Sequence, residues 1–383
     1  MLSTLALHMQ TVAVGWQLYT LTGSALDLGL LGLVQFVPTI ALTLVGGHVA
    51  DRSDRRVVVV ICQVAQAGAS VALAVGSHGG WLGRGSVLAI VGVLGAAQAF
   101  ANPSRTALLP RLVPLAQIPR AIASVTSATQ TSRIVGPALG GLLYDFGPAI
   151  VYVTVAALYL VGAALIAVIR DGRSARERED DTPASLFSGV VFIWSRRLLR
   201  GLISLDLVAV LLGGATALLP VYARDILGTG PWGLGLLRAA PAIGALVSSV
   251  VLARRPVQHG AGPIFFGAVL VFGVATIVFG VSTNLLVSLA ALTVLGGADL
   301  LSVVIRHSLV QMRTPDGMRG RVSAVHSVST NTSNQLGEFE SGVLAALLGP
   351  VPAVVLGGVG TIVVAALWMY RFPELRRFHL ADS

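Results

Sequence analysis

The 383-residue chain is 55% hydrophobic and only 11% charged, and its mean hydropathy is +0.82. Soluble domains typically carry about 25% charged residues, so this composition predicts a polytopic membrane protein and excludes a soluble enzyme with one anchor. All 26 basic residues are arginines, and the net charge of +9 therefore comes without the lysine that a Walker-type ATP site requires.

Twelve apolar runs reach the length of about 20 residues that a helix needs to cross a bilayer. They lie near residues 2–21, 28–50, 57–77, 86–109, 119–143, 147–169, 200–222, 231–253, 263–282, 285–310, 321–347 and 350–371. We predict an all-α membrane protein with twelve transmembrane helices in two six-helix bundles, residues 1–169 and 200–372. Residues 170–199 are predicted to form a cytoplasmic linker with an interfacial helix, and residues 373–383 a cytoplasmic tail.

The loops predict the orientation of the chain in the membrane. One set of alternate loops contains 22 arginines, and the other set contains two, Arg84 and Arg224. Because arginine-rich loops stay in the cytoplasm, both termini are expected to be cytoplasmic in a multi-pass protein of the cytoplasmic (inner) membrane. The first run lacks a secretory cleavage pattern, so we expect it to be retained.

The two halves of the chain resemble each other at a constant shift of 201 positions. This shift pairs Gly95 with Gly296, Gln98 with Asp299, Arg105 with Arg306, Pro114 with Pro315, Arg120 with Arg321, Gly136 with Gly337 and Gly141 with Gly342. Six spans return the chain to its starting side, so a pseudo-two-fold axis along the membrane normal is expected. We expect the substrate to bind between the halves, near the midplane.

Polar side chains inside the spans are the candidate site, because a charge at the bilayer centre costs about 2.5–3.5 kcal/mol and must face protein or water. Neutral residues expected to line a substrate cavity are Gln17, Gln98, Asn102, Gln130, Asn331 and Asn334. Ionisable residues expected to couple transport to protons are Asp299, Glu338, Asp206, Arg133 and Arg238. For the neutral residues a structural role is the alternative, since such side chains often only bond neighbouring helices.

Asp299 is the preferred proton carrier because it lies in the middle of its span, and Arg133 is its expected counter-charge. The alternative is a permanent ion pair between these two residues that holds the halves together. Steps of four and three along the eleventh span predict one polar stripe on a helix, formed by Ser327, Asn331, Asn334, Glu338 and Ser341.

Two motifs resemble signatures of the major facilitator superfamily. Residues 47–56 resemble its Gly-x-x-x-Asp-Arg-x-x-Arg-Arg loop between spans two and three, and residues 136–141 resemble the Gly-Pro-x-x-Gly-Gly motif of its antiporters. Further similarity to the enterobactin-exporter-like group of efflux proteins lies in residues 16–24, 218–228, 319–325 and 336–342. The resemblance covers nearly the whole chain and implies the major facilitator fold and export of amphipathic small molecules.

The resemblance also implies roles for the two motifs. A conformational latch on the cytoplasmic side is implied for Gly47, Asp51, Arg52, Arg55 and Arg56. A helix bend is implied for Gly136, Pro137, Gly140 and Gly141, because proline lacks an amide donor and glycines permit close packing. Gly46 and Gly47 are expected to let span two approach span eleven. The alternatives are a loop that only fixes orientation and a bend without a transport role.

The predicted function is secondary active transport, in which drugs, macrolides or siderophores leave the cell by proton antiport and alternating access, with multidrug resistance as a consequence. A passive facilitator or an uptake carrier of the same fold is the alternative, and a membrane subunit of a separate ATPase is disfavoured by the internal duplication. An enzyme is disfavoured because the spans contain no metalloprotease or nucleophile-elbow motif. Expected partners are a small-molecule substrate, protons and the lipid bilayer, with no cofactor, metal or nucleic acid and with a monomeric chain.

Overall fold

The computed structural model describes residues 1–169, 183–255 and 260–376, which form helices joined by short connections, without a strand. The first half contains the helices Leu2–Thr22 (α1), Ala25–Arg52 (α2), Arg55–Gly79 (α3), Arg84–Leu112 (α4), Ile118–Tyr144 (α5) and Pro148–Val168 (α6). The second half contains Pro183–Ser195 (α7), Arg197–Leu212 (α8), Leu219–Val221 (α9), Gly230–Arg254 (α10), Ala261–Val281 (α11), Leu285–Met312 (α12), Arg319–Leu348 (α13), Pro350–Arg371 (α14) and Pro373–Arg376 (α15).

The helices confirm the predicted all-α membrane fold. Among the described residues, nine helical segments are long and apolar enough to cross a membrane. Three further helices, α1, α5 and α13, have 21, 27 and 30 residues and occupy the positions of predicted spans one, five and eleven. Their lower apolarity reflects the polar side chains that mark them as candidate site helices.

Short turns separate several of the described helices. Gly23 ends α1 with a φ of 62°, a left-handed conformation that glycine adopts without strain. The Ser24 side chain then accepts a hydrogen bond from the Asp27 amide (3.4 Å), and Asn284 accepts one from the Leu286 amide (2.9 Å) at the start of α12. These caps satisfy amides that the first helical turn leaves unpaired.

The seventh span is broken, although one continuous helix over residues 200–222 was expected. Helix α8 ends at Leu212, and a 3₁₀ turn (Ala215–Leu218), the short helix α9 and a π-helical turn (Tyr222–Ile226) follow. Pro220 lacks an amide donor and interrupts the helical hydrogen bonds, and Gly213 precedes the break. The hydropathy of the run gave no indication of this break.

The chain forms two compact units. Unit 1 comprises Met1–Arg176 and Leu219–Ala239, and unit 2 comprises Glu177–Leu218 and Ala240–Ser383. The core of unit 1 lies among α1, α3, α4 and α6 and includes the buried Tyr152 and Tyr159. The core of unit 2 lies among α8, α11 and α12, with contributions from α13 and α14. Each unit combines two separate stretches of the chain because the units are defined by contacts between residues. The predicted bundles, residues 1–169 and 200–372, were instead defined by the order of apolar runs along the chain.

Candidate functional site

A cavity inside unit 2 lies between α8, α11 and α12, and we call it the acidic cavity. Its lining includes Asp206 of α8, Phe265 and Phe272 of α11, and Asp299 and Ser302 of α12. Two of the carboxylates predicted to couple transport to protons therefore line the same cavity. The surrounding side chains are mostly apolar, so these carboxylates have few competing polar neighbours.

Asp206 forms an ion pair with Arg306 of α12. Nη1 of Arg306 donates to Oδ1 of Asp206, and Arg306 and Asp206 are only 1% and 7% exposed. Nε of Arg306 has no hydrogen-bond partner among the described residues. Because breaking a buried ion pair leaves an uncompensated charge, the pair is a strong constraint between α8 and α12.

Two histidines lie next to this pair. His307 follows Arg306 on α12, and its ring centroid lies 4.7 Å from the ring centroid of His326 on α13. His326 is 1% exposed, and neither of its ring nitrogens has a hydrogen-bond partner among the described residues. Both imidazoles interact electrostatically with Arg306. Ionisable side chains from α8, α12 and α13 thus gather in one part of unit 2.

Unit 1 has a different arrangement at the matched position. Arg105 of α4 corresponds to Arg306 at the shift of 201, and the same shift carries Leu5 to Asp206. Atoms Nε and Nη2 of Arg105 have no hydrogen-bond partner in the described part of the chain. The carboxylate that compensates Arg306 is therefore replaced by an apolar residue in the first half.

The other predicted proton-coupling residues are distributed over both units. Glu338 is half-buried on α13 of unit 2, and Arg133 is exposed on α5 of unit 1. Arg238 of α10 is half-buried and belongs to unit 1, where it and Arg133 interact electrostatically with His8 of α1. The pairing of Arg133 with Asp299 stays a prediction.

Gln17, a predicted cavity residue, is buried in a ladder of hydrogen bonds between α1 and α3. The ladder repeats every seven residues on both helices, from Gln63 Nε2 to Ser3 Oγ (3.0 Å), from Gln10 Nε2 to Ser70 Oγ (3.0 Å) and from Gln17 Nε2 to Ser77 Oγ (2.8 Å). Tyr152 of α6 also donates to Oε1 of Gln17 (2.6 Å). These contacts match the structural alternative for Gln17, because both ends of its amide are used within unit 1.

The remaining cavity candidates are more accessible. Gln98 and Gln130 are half-buried on α4 and α5, and Nε2 of Gln98 has no partner among the described residues. The exposed candidates are Asn102 of α4 and Asn331 and Asn334 of α13. These five residues stay candidates for the substrate cavity.

The latch motif, residues 47–56, was expected to form a loop, but residues 47–52 belong to α2 and residues 55–56 to α3, so only residues 53 and 54 connect the two helices. The side chains of Asp51 and Arg52 lie outside the described part of the structure, and Arg55 is half-buried. Nη1 of Arg56 donates to the carbonyl oxygen of Ile169 at the end of α6, and its Nη2 lies 3.7 Å from Oδ2 of Asp54. Arg56 therefore ties the start of α3 to the end of α6 within unit 1.

Gly46, which was expected to let span two approach span eleven, makes a close contact with α4. A Cβ atom on Gly46 would lie 2.5 Å from the Ala99 carbonyl oxygen of α4, whereas a Cβ atom on Gly47 would meet no described atom within 4 Å. Gly46 thus permits contact between α2 and α4, and this contact lies inside unit 1. The approach of α2 to α13 stays a prediction.

The helix-bend motif of α5 contacts two helices through its glycines. Cβ atoms built on Gly136 and Gly140 would lie 2.7 Å from Cβ of His8 and 2.8 Å from the Met9 carbonyl oxygen of α1. A Cβ atom on Gly141 would lie 3.0 Å from Cα of Gly235 on α10, and one on Gly235 would lie 2.5 Å from the Pro137 carbonyl oxygen. The motif therefore places α5 in backbone contact with α1 and with the start of α10.

A second polar cluster of unit 1 connects the end of α1 to the π-helical turn. The Tyr19 hydroxyl donates to Oδ2 of Asp225, and Nη1 of Arg224 donates to the Tyr19 carbonyl oxygen (3.2 Å). The Arg224 guanidinium also lies 5.5 Å from the centroid of the Tyr19 ring, within cation–π range. We call these three residues the Tyr19 cluster.

Comparison with known proteins decides the class of this chain. A family model described as a transmembrane secretion effector matches residues 1–383. The chain belongs to this family of the major facilitator superfamily. It is 27% identical over 377 residues to the enterobactin exporter EntS of Citrobacter koseri, which covers 95% of the chain and 85% of the relative.

Other similar proteins agree with this assignment. The EntS protein of Escherichia coli O139:H28 is 25% identical over 383 residues, covering 98% of the chain and 91% of the relative. The crystal structure of the nucleoside transporter NupG matches with a TM-score of 0.74 at 13% identity and covers 97% of both chains. The predicted class, a non-enzymatic multi-span transporter with the major facilitator fold, is therefore confirmed.

Several residues of this transporter were not singled out from the sequence. The shift of 201 matches Arg306 with Arg105, but the sequence does not predict its ion pair with Asp206. His326 lies beside the polar stripe of α13, and the stripe itself was the signal that could have found it. Asp225 lies between the predicted spans 200–222 and 231–253, and the sequence does not indicate its contact with Tyr19.

Proposed function

We propose that this transporter exports amphipathic small molecules of siderophore type across the cytoplasmic membrane by proton antiport and alternating access. The EntS relatives are named enterobactin exporters and are similar over almost the whole chain, which supports the substrate class and the direction. The observation that carries the proton coupling is the buried Asp206–Arg306 pair beside Asp299 in the acidic cavity. Carboxylates inside a membrane span are strong candidates for proton transfer.

In this proposal, protonation of a carboxylate changes how far the charge of Arg306 is compensated. When Asp299 or Asp206 accepts a proton, the compensation of the buried Arg306 charge weakens, and an arrangement of α8 and α12 with better solvation of Arg306 becomes favourable. Loss of the proton restores the pair. A proton that binds from one side of the membrane and leaves to the other therefore alternates the preferred state of unit 2.

Substrate movement requires that access alternates between the two sides. The arginine-rich 47–56 loop is proposed to close the cytoplasmic side, where both termini lie. The Tyr19 cluster lies at the opposite end of α1 from Met1 and includes Arg224 of the arginine-poor side, so it is suited to close the outer side. Each closure is then one half of a two-state switch.

The test is substrate accumulation in proteoliposomes that contain the purified protein. With an acidic lumen, an antiporter exchanges lumenal protons for external enterobactin and accumulates enterobactin inside. A proton-motive force equivalent to about 100 mV supplies ~2.3 kcal/mol per proton, which sustains a gradient of roughly 40-fold for one-to-one exchange. Protein-free liposomes control for trapping of the compound by pH alone.

The direction of the gradient separates the alternatives. Reversing it should reverse the accumulation of an antiporter, and an uncoupler should abolish it. A proton symporter that acts as an uptake carrier would accumulate substrate in the alkaline compartment, and a passive facilitator would only equalise the concentrations. If either of these results is obtained with enterobactin and with a panel of amphipathic drugs and macrolides, the antiport proposal is wrong.

A further inference from the structure

A second polar cleft of unit 2 lies where the α7–α8 junction meets the connection between α12 and α13. The cleft is lined by Arg196, Met312, Arg313, Thr314, Pro315 and Arg319. Three of these six side chains are arginines, so we call it the basic cleft. It is separate from the acidic cavity, with which it shares no lining residue.

Two helices begin at the basic cleft. Helix α8 starts at Arg197 after the N-cap residue Arg196, and no side chain caps it. Helix α13 starts at Arg319 after Met318, again without a side-chain cap. The first amides of a helix and its dipole favour a bound anion, and here both starts coincide with arginines that line the cleft.

The arginines of the cleft are positioned by neighbouring groups. Nε of Arg319 donates to the carbonyl oxygen of Gln311 (3.3 Å), and the Arg196 guanidinium lies 5.6 Å from the ring centroid of Phe192. A guanidinium that is held in place can bind a phosphate through two parallel hydrogen bonds. The charge and the geometry of the cleft therefore suit a phosphate group.

Exposed apolar side chains lie on the cleft and on the helix that precedes Arg196. Met312 on the cleft itself is 41% exposed, and Val191 and Trp194 of α7 are 66% and 62% exposed. Helix α7 has 13 residues and is too short to cross a bilayer, so these exposed side chains fit a helix that lies in the membrane interface. A ligand with an anionic head and apolar chains matches both the cleft and its neighbours.

We infer that the basic cleft binds the phosphate of an anionic phospholipid from the leaflet on the arginine-rich side of the protein. The phosphate contacts the arginines and the two helix starts, and the acyl chains lie along Met312 and the exposed face of α7. The lipid thereby joins the α7–α8 junction to the α12–α13 connection. This inference does not depend on proton coupling or on the identity of the substrate.

The experiment measures the thermal unfolding midpoint of the full-length protein in neutral detergent. Mixed micelles containing phosphatidylglycerol are compared with micelles containing phosphatidylcholine and with inorganic phosphate at the same ionic strength. We expect phosphatidylglycerol to raise the midpoint, phosphatidylcholine to leave it unchanged, and inorganic phosphate to have a smaller effect because it has no acyl chains. If inorganic phosphate raised the midpoint by the same amount, the ligand would be a soluble anion and not a lipid, and the inference would be wrong.

Two double variants test the location of the site. Arg196→Gln with Arg319→Gln removes two cleft arginines, and the expected loss is about 30-fold in phosphatidylglycerol affinity, from ~1 kcal/mol for each arginine. Arg254→Gln with Arg255→Gln removes two exposed arginines at the end of α10 that do not line the cleft, and affinity should be unchanged. Equal losses in both variants would show unspecific attraction and contradict a site in the cleft.

Native mass spectrometry of the single variant Arg196→Gln gives a second, independent measurement. Arg196 is exposed, so its replacement should leave folding intact. The wild type should retain phosphatidylglycerol after delipidation in neutral detergent, and the variant should retain less of it. Equal retention by the two proteins would also contradict the inference.

Discussion

Arg105 and Arg306 occupy matched positions in the two halves, yet a carboxylate partner is described for Arg306 only. The partner, Asp206, stands where the first half has Leu5. A buried arginine with a titratable partner can respond to protons, whereas an arginine among apolar groups has a fixed charge. At the scale of residues, this difference is the reason that the proposal places proton coupling in the second half of the transporter.

The ion pair should be visible in the stability of the protein. We expect Asp206→Asn or Arg306→Gln to lower the free energy of unfolding by about 3–5 kcal/mol, because each single change leaves one buried polar partner uncompensated. The double variant should recover most of this loss, since no unpaired charge remains. Denaturation in detergent micelles measures all three variants, and Arg105→Gln serves as the matched control.

The control variant should lose less stability than either single variant, because no ion pair of Arg105 is described. Single variants that are as stable as the wild type, or a double variant that is no better than the singles, would contradict the constraint assigned to the pair. We expect the pH gradient to drive less enterobactin accumulation in the double variant than in the wild type, because the charge of Arg306 no longer responds to protonation in the acidic cavity.

The charges of this site could be found in the sequence, but their partners could not. Asp206 and Asp299 stand out because a carboxylate inside an apolar run is unfavourable without a functional reason. Arg306 lies 100 positions from Asp206, and hydropathy does not indicate which helix faces which. Arg133 was therefore chosen as the counter-charge of Asp299, whereas the described ion pair of the acidic cavity joins Asp206 to Arg306.

Matched glycines make matched helix contacts in the two halves. Cβ atoms on Gly95 and Gly296 would collide with carbonyl oxygens of Gln35 on α2 and Pro241 on α10, respectively. Gly136 of α5 meets α1 in the same way as Gly337 of α13 meets α8. At the scale of elements, the repeat visible in the sequence is thus a repeat of close helix packing, which small residues permit in membranes.

The contact between α5 and α10 is expected to depend on the absence of a side chain at Gly141. We predict that Gly141→Ala destabilises the protein by about 1–3 kcal/mol, because the added Cβ atom would lie 3.0 Å from Cα of Gly235. The transport rate should fall together with the stability if the contact between α5 and α10 takes part in the transport cycle. Thermal unfolding and proteoliposome flux measure the two effects.

Gly68→Ala in α3 is the matched control for this prediction. A Cβ atom on Gly68 would meet no described atom within 4 Å, so the substitution should be neutral or stabilise the protein by up to about 1 kcal/mol. If the two alanine variants had the same stability, the α5–α10 contact would tolerate a side chain at Gly141. The packing role predicted for the motif would then be contradicted.

Helix positions were predictable because the thickness of the bilayer fixes the length of an apolar run. Hydropathy does not reveal the break in the seventh span, since the segment Arg197–Ile226 stays strongly apolar despite Pro220. The ladder between α1 and α3 has a signal in the sequence. Its residues recur every seven positions on both helices, which is the spacing of facing side chains on packed helices.

For the molecule as a whole, the sequence motifs led to the correct superfamily, and the match over residues 1–383 confirms it. Substrate identity and coupling are harder to predict, because the same fold is used by transporters with different substrates and driving forces. The proposal of antiport therefore rests on the acidic cavity of unit 2 rather than on the fold. Its central claim is that Asp299 exchanges a proton in every transport cycle.

The most direct test of this claim compares two transport modes of Asp299→Asn in proteoliposomes. Exchange of labelled for unlabelled enterobactin at equal pH needs no net proton movement, whereas accumulation driven by a pH gradient does. We expect the variant to keep exchange and to lose gradient-driven accumulation, while Glu374→Gln, which alters an exposed carboxylate of α15, keeps both. Full gradient-driven accumulation by Asp299→Asn would contradict the account.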